Sequence, residues 1–157
     1  MSDHAPASLS AQDLTAFFHA QIPLTRALGV TVEESSAARL VLAAPLAPNR
    51  NHLGTAFGGS LHALPTLACY GMLWLLVREG GLDSHVVVKH SEASYRDPVT
   101  GPLRAVCARP EAARTADFMR ALRRHKKARM DLTAIVTGAT PDRPAVDFRG
   151  SFVALIH

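Results

Sequence analysis

Leu61 to Val77 is a run of 17 mostly apolar residues, interrupted only by His62, Pro65, Thr66 and Gly71. A helix that is apolar on nearly all sides must be surrounded, by lipid or by protein. A bilayer span takes about 20 residues. The run is shorter than that and holds a histidine, a proline and a threonine, so it reads as a central helix buried in a folded domain rather than a membrane span. Gly58-Gly59 opens it and Gly80-Gly81 ends it. Pro65 cannot donate to the Leu61 carbonyl, which predicts a kink there.

The flanking segments supply what surrounds this helix. Leu9, Leu14, Phe17, Phe18 and Ile22 recur at near-helical spacing, with Ser10 as N-cap and Asp13 three residues on. Pro23 ends or kinks that helix, and Leu28-Gly29 closes the segment. Strands are expected at Val30–Glu34, Arg39–Ala44, Val86–Tyr95, Leu103–Ala108, Ala128–Thr137 and Val146–Ile156, with an amphipathic helix over Glu111–Arg124. Asn49 to Gly59 is the most turn-rich stretch. With 157 residues, 48% of them hydrophobic and 19% charged, the chain has enough apolar material for one core. The organisation expected is a disordered terminus over residues 1–10 and a single α+β domain over 11–157, in which a curved antiparallel sheet wraps the long helix. An open sheet edge makes a dimer a natural way to cover it.

Composition narrows the partners. Aromatics are 6% of the chain, too few for a base-stacking platform, and a nucleic-acid role is not expected. Cys69 and Cys107 sit among apolar neighbours and read as buried free thiols of a reducing compartment. The N-terminus has no basic segment followed by an apolar one, so a cytoplasmic location is expected. The net charge of +4 suits an acidic partner. His85 and His90 are an odd number of residues apart in a strand, which predicts opposite faces, and no metal site is evident.

The chemistry concentrates around the apolar helix. His62, Thr66, Cys69 and Tyr70 follow i, i+4, i+7, i+8 spacing and share one face. That face is either core, with Thr66 bonded back to a helix carbonyl, or the wall of a site. Gly58-Gly59 is either a tight turn or a place where free N–H groups at a helix start meet a developing negative charge. Ser60 is small and permits close approach of a ligand or another chain. From Ser35 to Arg78 the chain has no Asp or Glu. A hydrolase needs a group to activate water, and here only His52 or His62 is available. A site without carboxylates better suits a substrate that is itself an anion.

These residues carry a resemblance. Asn51, Gly58-Gly59-Ser60-Leu61 and Thr66 resemble the loop-to-helix motif of hotdog-fold acyl-thioester enzymes. Phe57 stands where common hotdog thioesterases carry His, and Thr66 where they carry the catalytic acid. Thr55-Ala56-Phe57-Gly58-Gly59-Ser60, Gly71-Met72-Leu73-Trp74-Leu75, Tyr95-Arg96-Asp97-Pro98-Val99-Thr100 and Lys126-Lys127-Ala128-Arg129 are similar to the YiiD C-terminal family. The similarity covers roughly Pro23 to the end. That family includes malonyl-acyl-carrier-protein decarboxylases that prime fatty acid synthesis, and it pairs a loop Asn with a helix Thr fifteen residues on, as Asn51 and Thr66 are here. Some members carry an N-terminal acetyltransferase domain, and this chain is expected to be a stand-alone form.

The resemblance implies a hotdog fold and a decarboxylase acting through an enolate, with Asn51 and Thr66 as catalytic residues and no cofactor. Asn51 would donate to the thioester carbonyl or the carboxylate, helped by an N–H near Gly58 or Gly59, and the Thr66 hydroxyl would orient the malonyl group. Phe57, Ser60, His62 and Tyr70 complete the expected oxyanion and substrate-binding set. His62 is either a structural histidine, a proton donor to the enolate, or the base of a thioesterase. Arg120, Arg123, Arg124, Lys126, Lys127 and Arg129 form a basic cluster, either a solvated helix end or a dock for acyl carrier protein or the phosphate of a pantetheine arm. A coenzyme A thioester is the alternative substrate, and a homodimer or dimer of dimers the expected assembly. Acyl-thioester hydrolysis, or acyl-thioester binding without turnover, are the competing functions.

Overall fold

The computed structural model describes residues 9–138, 140 and 142–157. Helix α1 (Ala11–Gln21) starts at a full capping box, with the Asp13 N–H donating to Ser10 Oγ at 3.0 Å. Pro23 separates it from the short α2 (Leu24–Leu28), which Gly29 closes in the left-handed conformation at φ 71°. Of the terminus expected to be disordered, residues 1–8 lie outside the described residues. Leu9 packs against the core and Ser10 caps α1, so these two belong to the fold.

β1 (Thr31–Ser35) and β2 (Arg39–Ala44) precede the long helix α3 (Gly58–Glu79), and β3 (His85–Tyr95), β4 (Leu103–Ala108), α4 (Ala112–His125), β5 (Lys127–Thr137) and β6 (Pro144–Leu155) follow it. The six strands form one antiparallel sheet in the order β1-β2-β4-β5-β6-β3. α3 packs against β2, β3, β4, β5 and β6. A sheet wrapped around one long central helix in this way is the hotdog architecture. By length and composition α3 would pass for a membrane span, but 78% of its most apolar window is buried by the rest of the protein. The helix continues without a break through Pro65.

Three local features position the site. Gly71 lets α1 and β2 close on the helix: a Cβ there would lie 2.7 Å from the Phe18 ring and 3.0 Å from Leu40. β4 and β5 pair over only Arg104–Val106 and Ile135–Thr137, and α4, whose buried residues are Phe118, Met119 and Leu122, packs on β5. Finally, β3 carries a bulge between Val88 and His90. His85 pairs with Leu155 and His90 with Ser151, and partners four residues apart face the same way. The expectation of opposite faces for His85 and His90 is therefore wrong, because the extra residue shifts the alternation by one. The same shift turns Ser91, Ala93 and Tyr95 inward, toward α3.

Candidate acyl-thioester site

A cavity of about 430 Å³ lies between α2, the first half of α3, β3 and β6. One part of its wall is polar: Gly59, His62, Thr66 and Ser91. The rest is mainly apolar, including Leu24, Leu28, Leu67, Tyr70 and Phe152. Among the described residues, no Asp or Glu lines it. The face predicted at i, i+4, i+8 is thus real for His62, Thr66 and Tyr70. Cys69 does not share it. That thiol is fully buried and engages Cys107, whose hydrogen bond, with burial, pushes Cys69 well above the usual thiol range. Both thiols are buried, and neither lines the cavity. Burial also raises the Tyr70 phenol, which keeps its proton at neutral pH.

His62 is held on several sides. Its Nε2 lies 3.0 Å from Ser91 Oγ, and its Nδ1 lies 3.5 Å from the Tyr95 hydroxyl. The imidazole also meets the Phe148 ring edge-on at 5.3 Å. Ser91 was not singled out in the sequence, because only the bulge in β3 brings it to this face. The Thr66 hydroxyl donates to the His62 carbonyl at 2.7 Å, so its single proton is committed to its own helix.

The start of α3 supplies uncommitted donors. The Phe57 N–H donates to the Asn49 carbonyl at 2.7 Å and the Leu61 N–H to the Phe57 carbonyl at 3.0 Å. Among the described residues, the N–H groups of Gly58, Gly59 and Ser60 meet no acceptor, as expected for a helix start without a side-chain cap. Of these three only Gly59 is on the cavity wall. Ser60 is buried, and the exposed Phe57 ring lies directly over Gly59, so that any Cβ there would collide with it.

The loop before α3 is built by two asparagines. Asn49 is buried and donates through Nδ2 to the Leu28 and Pro45 carbonyls at 2.8 and 2.7 Å. Asn51 turns into its own loop: Nδ2 donates to Thr55 Oγ1 at 2.8 Å, and Oδ1 accepts from the Leu53 and Thr55 N–H groups at 2.8 and 3.2 Å. It is not on the cavity wall, so one chain does not bring Asn51 and Thr66 to the same cavity. Asn51→Ala should lower the unfolding free energy by about 1–2 kcal/mol through these lost bonds, read as a reduced midpoint in urea denaturation.

The basic cluster lies elsewhere. Arg120 pairs with Asp117, and Arg123 donates to the Gly80 carbonyl at 2.8 Å. Arg124, Lys126, Lys127 and Arg129 are exposed around the turn from α4 into β5. None of the six lines the cavity. The Gly80 end of α3 is about 21 Å from Thr66 at 1.5 Å per helical residue.

A family model described as "Putative thioesterase (yiiD_Cterm)" matches residues 11–156. The chain belongs to the YiiD C-terminal family. Among solved structures, it is 33% identical to a protein of unknown function from Chlorobaculum tepidum TLS, with a TM-score of 0.90, covering 96% of this chain and 99% of that one. It is 26% identical to a "putative thioesterase" from Shewanella oneidensis, with a TM-score of 0.82 and coverage of 92% and 96%. A mutant thioesterase from Pseudomonas aeruginosa, at 13% identity and a TM-score of 0.74 over 97% and 98% of the two chains, shares the fold. The protein is thus a hotdog-fold member of the thioesterase superfamily.

Proposed function

We propose that this YiiD-family protein removes CO2 from a malonyl thioester, carried on acyl carrier protein or coenzyme A, and leaves the acetyl thioester. The observation that carries this reading is the absence of Asp and Glu, among the described residues, from the cavity wall that includes Gly59, whose N–H meets no acceptor. A carboxylate there would repel the malonyl carboxylate, and decarboxylation needs no base. The C–C bond breaks, its electron pair moves into the thioester carbonyl, and donors at that oxygen hold the enolate. One such donor is worth about 3 kcal/mol of barrier. Thr66, whose hydroxyl donates to the His62 carbonyl, presents its oxygen to the cavity, which favours the helix start as the oxyanion site. The wall is otherwise apolar, which leaves the carboxylate poorly hydrated.

A second reading, hydrolysis of a neutral acyl thioester, draws on different observations. A malonyl group has three carbons and leaves much of a 430 Å³ cavity unfilled, His62 is a candidate base, and the family description is that of a thioesterase. Incubation of the protein with malonyl-carrier protein and with malonyl-CoA, followed by mass analysis, separates the two. Acetyl thioester is the expected product, and the faster carrier is the physiological one. Free thiol without acetyl thioester would move the assignment to hydrolysis.

The proposal includes a homodimer. β3 is an edge strand of 11 residues, and its inward-facing Val88 and Tyr95 remain exposed, as do Leu24 at the cavity mouth and Leu53 and Phe57 in the loop before α3. Covering this edge with a second copy would bury those side chains and bring a second loop carrying Asn51 toward the cavity. Light scattering after size exclusion should give twice the 16.8 kDa of the chain. A monomer mass at micromolar concentration would remove Asn51 from the mechanism.

A further inference from the structure

Loss of CO2 leaves an enolate that must acquire a proton at carbon, and most polar groups near the site are already committed. The Thr66 proton is held by the His62 carbonyl, and the Asn51 amide donates within its own loop. Ser91 and His62 are different. Both line the cavity, they contact each other at 3.0 Å, and the imidazole is fixed by Phe148 and Tyr95 on its other sides. We infer that the Ser91 hydroxyl, recharged by His62, delivers the proton that converts the enolate to product. This rests on the decarboxylase reading.

The step balances. The Ser91 O–H proton passes to the α-carbon, which holds the pair left by the broken C–C bond. The Nε2 proton of a doubly protonated His62 replaces it on Ser91. The neutral ring keeps its Nδ1 proton, directed at the Tyr95 oxygen, and solvent returns one proton to Nε2. Ser91 and His62 are then catalytic residues, and Tyr95 is a positioning residue. The pair exists because the bulge in β3 turns Ser91 toward α3; in an unbroken strand Ser91 would face away from the helix.

A proton delivered from a fixed side chain reaches one face of a planar enolate, whereas water reaches both. Methylmalonyl-CoA is the probe, run in deuterium oxide. The wild type should release CO2 and give propionyl-CoA with deuterium at C2 in one configuration. Ser91→Ala and His62→Gln should still release CO2, more slowly, and give both configurations in equal amounts. Ser91→Thr keeps a hydroxyl and should retain one configuration, which separates loss of the donor from loss of the fold. Equal configurations from the wild type would overturn the inference while leaving decarboxylation standing. So would scrambling by Tyr70→Phe but not by Ser91→Ala, or an acyl adduct on Ser91 in the intact mass. No CO2 from the wild type would remove the decarboxylase reading and this inference together.

Discussion

Thr66→Asp should lower CO2 release from a malonyl thioester roughly 100-fold: two carboxylates about 5 Å apart repel by about 3 kcal/mol at an effective dielectric of 20. Thr66 lies on the wall of a cavity that no acid lines among the described residues, so this substitution introduces a negative charge there. The side chains are similar in size, which limits the steric component. Thr66→Val is the control. It keeps the branched shape and loses only the bond to the His62 carbonyl, so its effect on CO2 release should be far smaller than that of Asp. Binding of the neutral acetyl thioester should be spared by Thr66→Asp, because a neutral acyl group has nothing to repel. Steady-state turnover of the malonyl thioester and affinity for the acetyl thioester, measured for both variants, decide the matter. If Thr66→Asp turned over the malonyl thioester as fast as Thr66→Val, the charge argument for decarboxylation would fail.

Phe18→Ala should lower the unfolding free energy by about 3–5 kcal/mol, the usual range for removing a buried phenylalanine. Phe18 is fully buried, and its ring occupies the space that Gly71 leaves open on α3. Among the described residues of α1, Leu14 and Phe18 are the two that are buried. For a domain whose total stability is about 5–15 kcal/mol, this is a large fraction. Urea denaturation followed by tryptophan fluorescence measures it, because Trp74 stacks on the neighbouring Phe17 at 4.1 Å between ring centroids. The loss should also reach the site. Phe18 lies 6.4 Å from the Tyr70 ring, and Tyr70 and α2 form part of the cavity wall, so substrate affinity should weaken as well. A change below 1 kcal/mol would mean that α1 is not anchored through this contact.

Much of the fold was legible because it follows from local rules. The apolar run from Leu61 to Val77 had to become a buried helix. The Ser10 and Asp13 box started α1, and Pro23 stopped it. Each expected strand is present within a residue or two. At the site, the 3.6-residue period placed His62, Thr66 and Tyr70 on one face. Cys69 was misplaced because the cavity face centres on Thr66, with His62 and Tyr70 about 40° to either side, and Cys69 lies about 60° from Thr66, beyond the His62 edge and toward Cys107. The basic cluster was visible as charge, but its distance from Thr66 was not, since that depends on where α4 docks along α3.

The sequence by itself determined the elements, the buried central helix, the carboxylate-free stretch and the family resemblance, because helix and strand periods, capping and turn chemistry act over a few residues. Tertiary structure alone decided which polar groups meet. One extra residue in β3 reverses the inward face and sets Ser91 beside His62. Docking of α2, β3 and β6 around α3 encloses a cavity that takes in His62, Thr66 and Ser91 and leaves Asn51 outside. These outcomes depend on register and on contacts between segments far apart in the chain, and residue spacing along one segment carries no information about either.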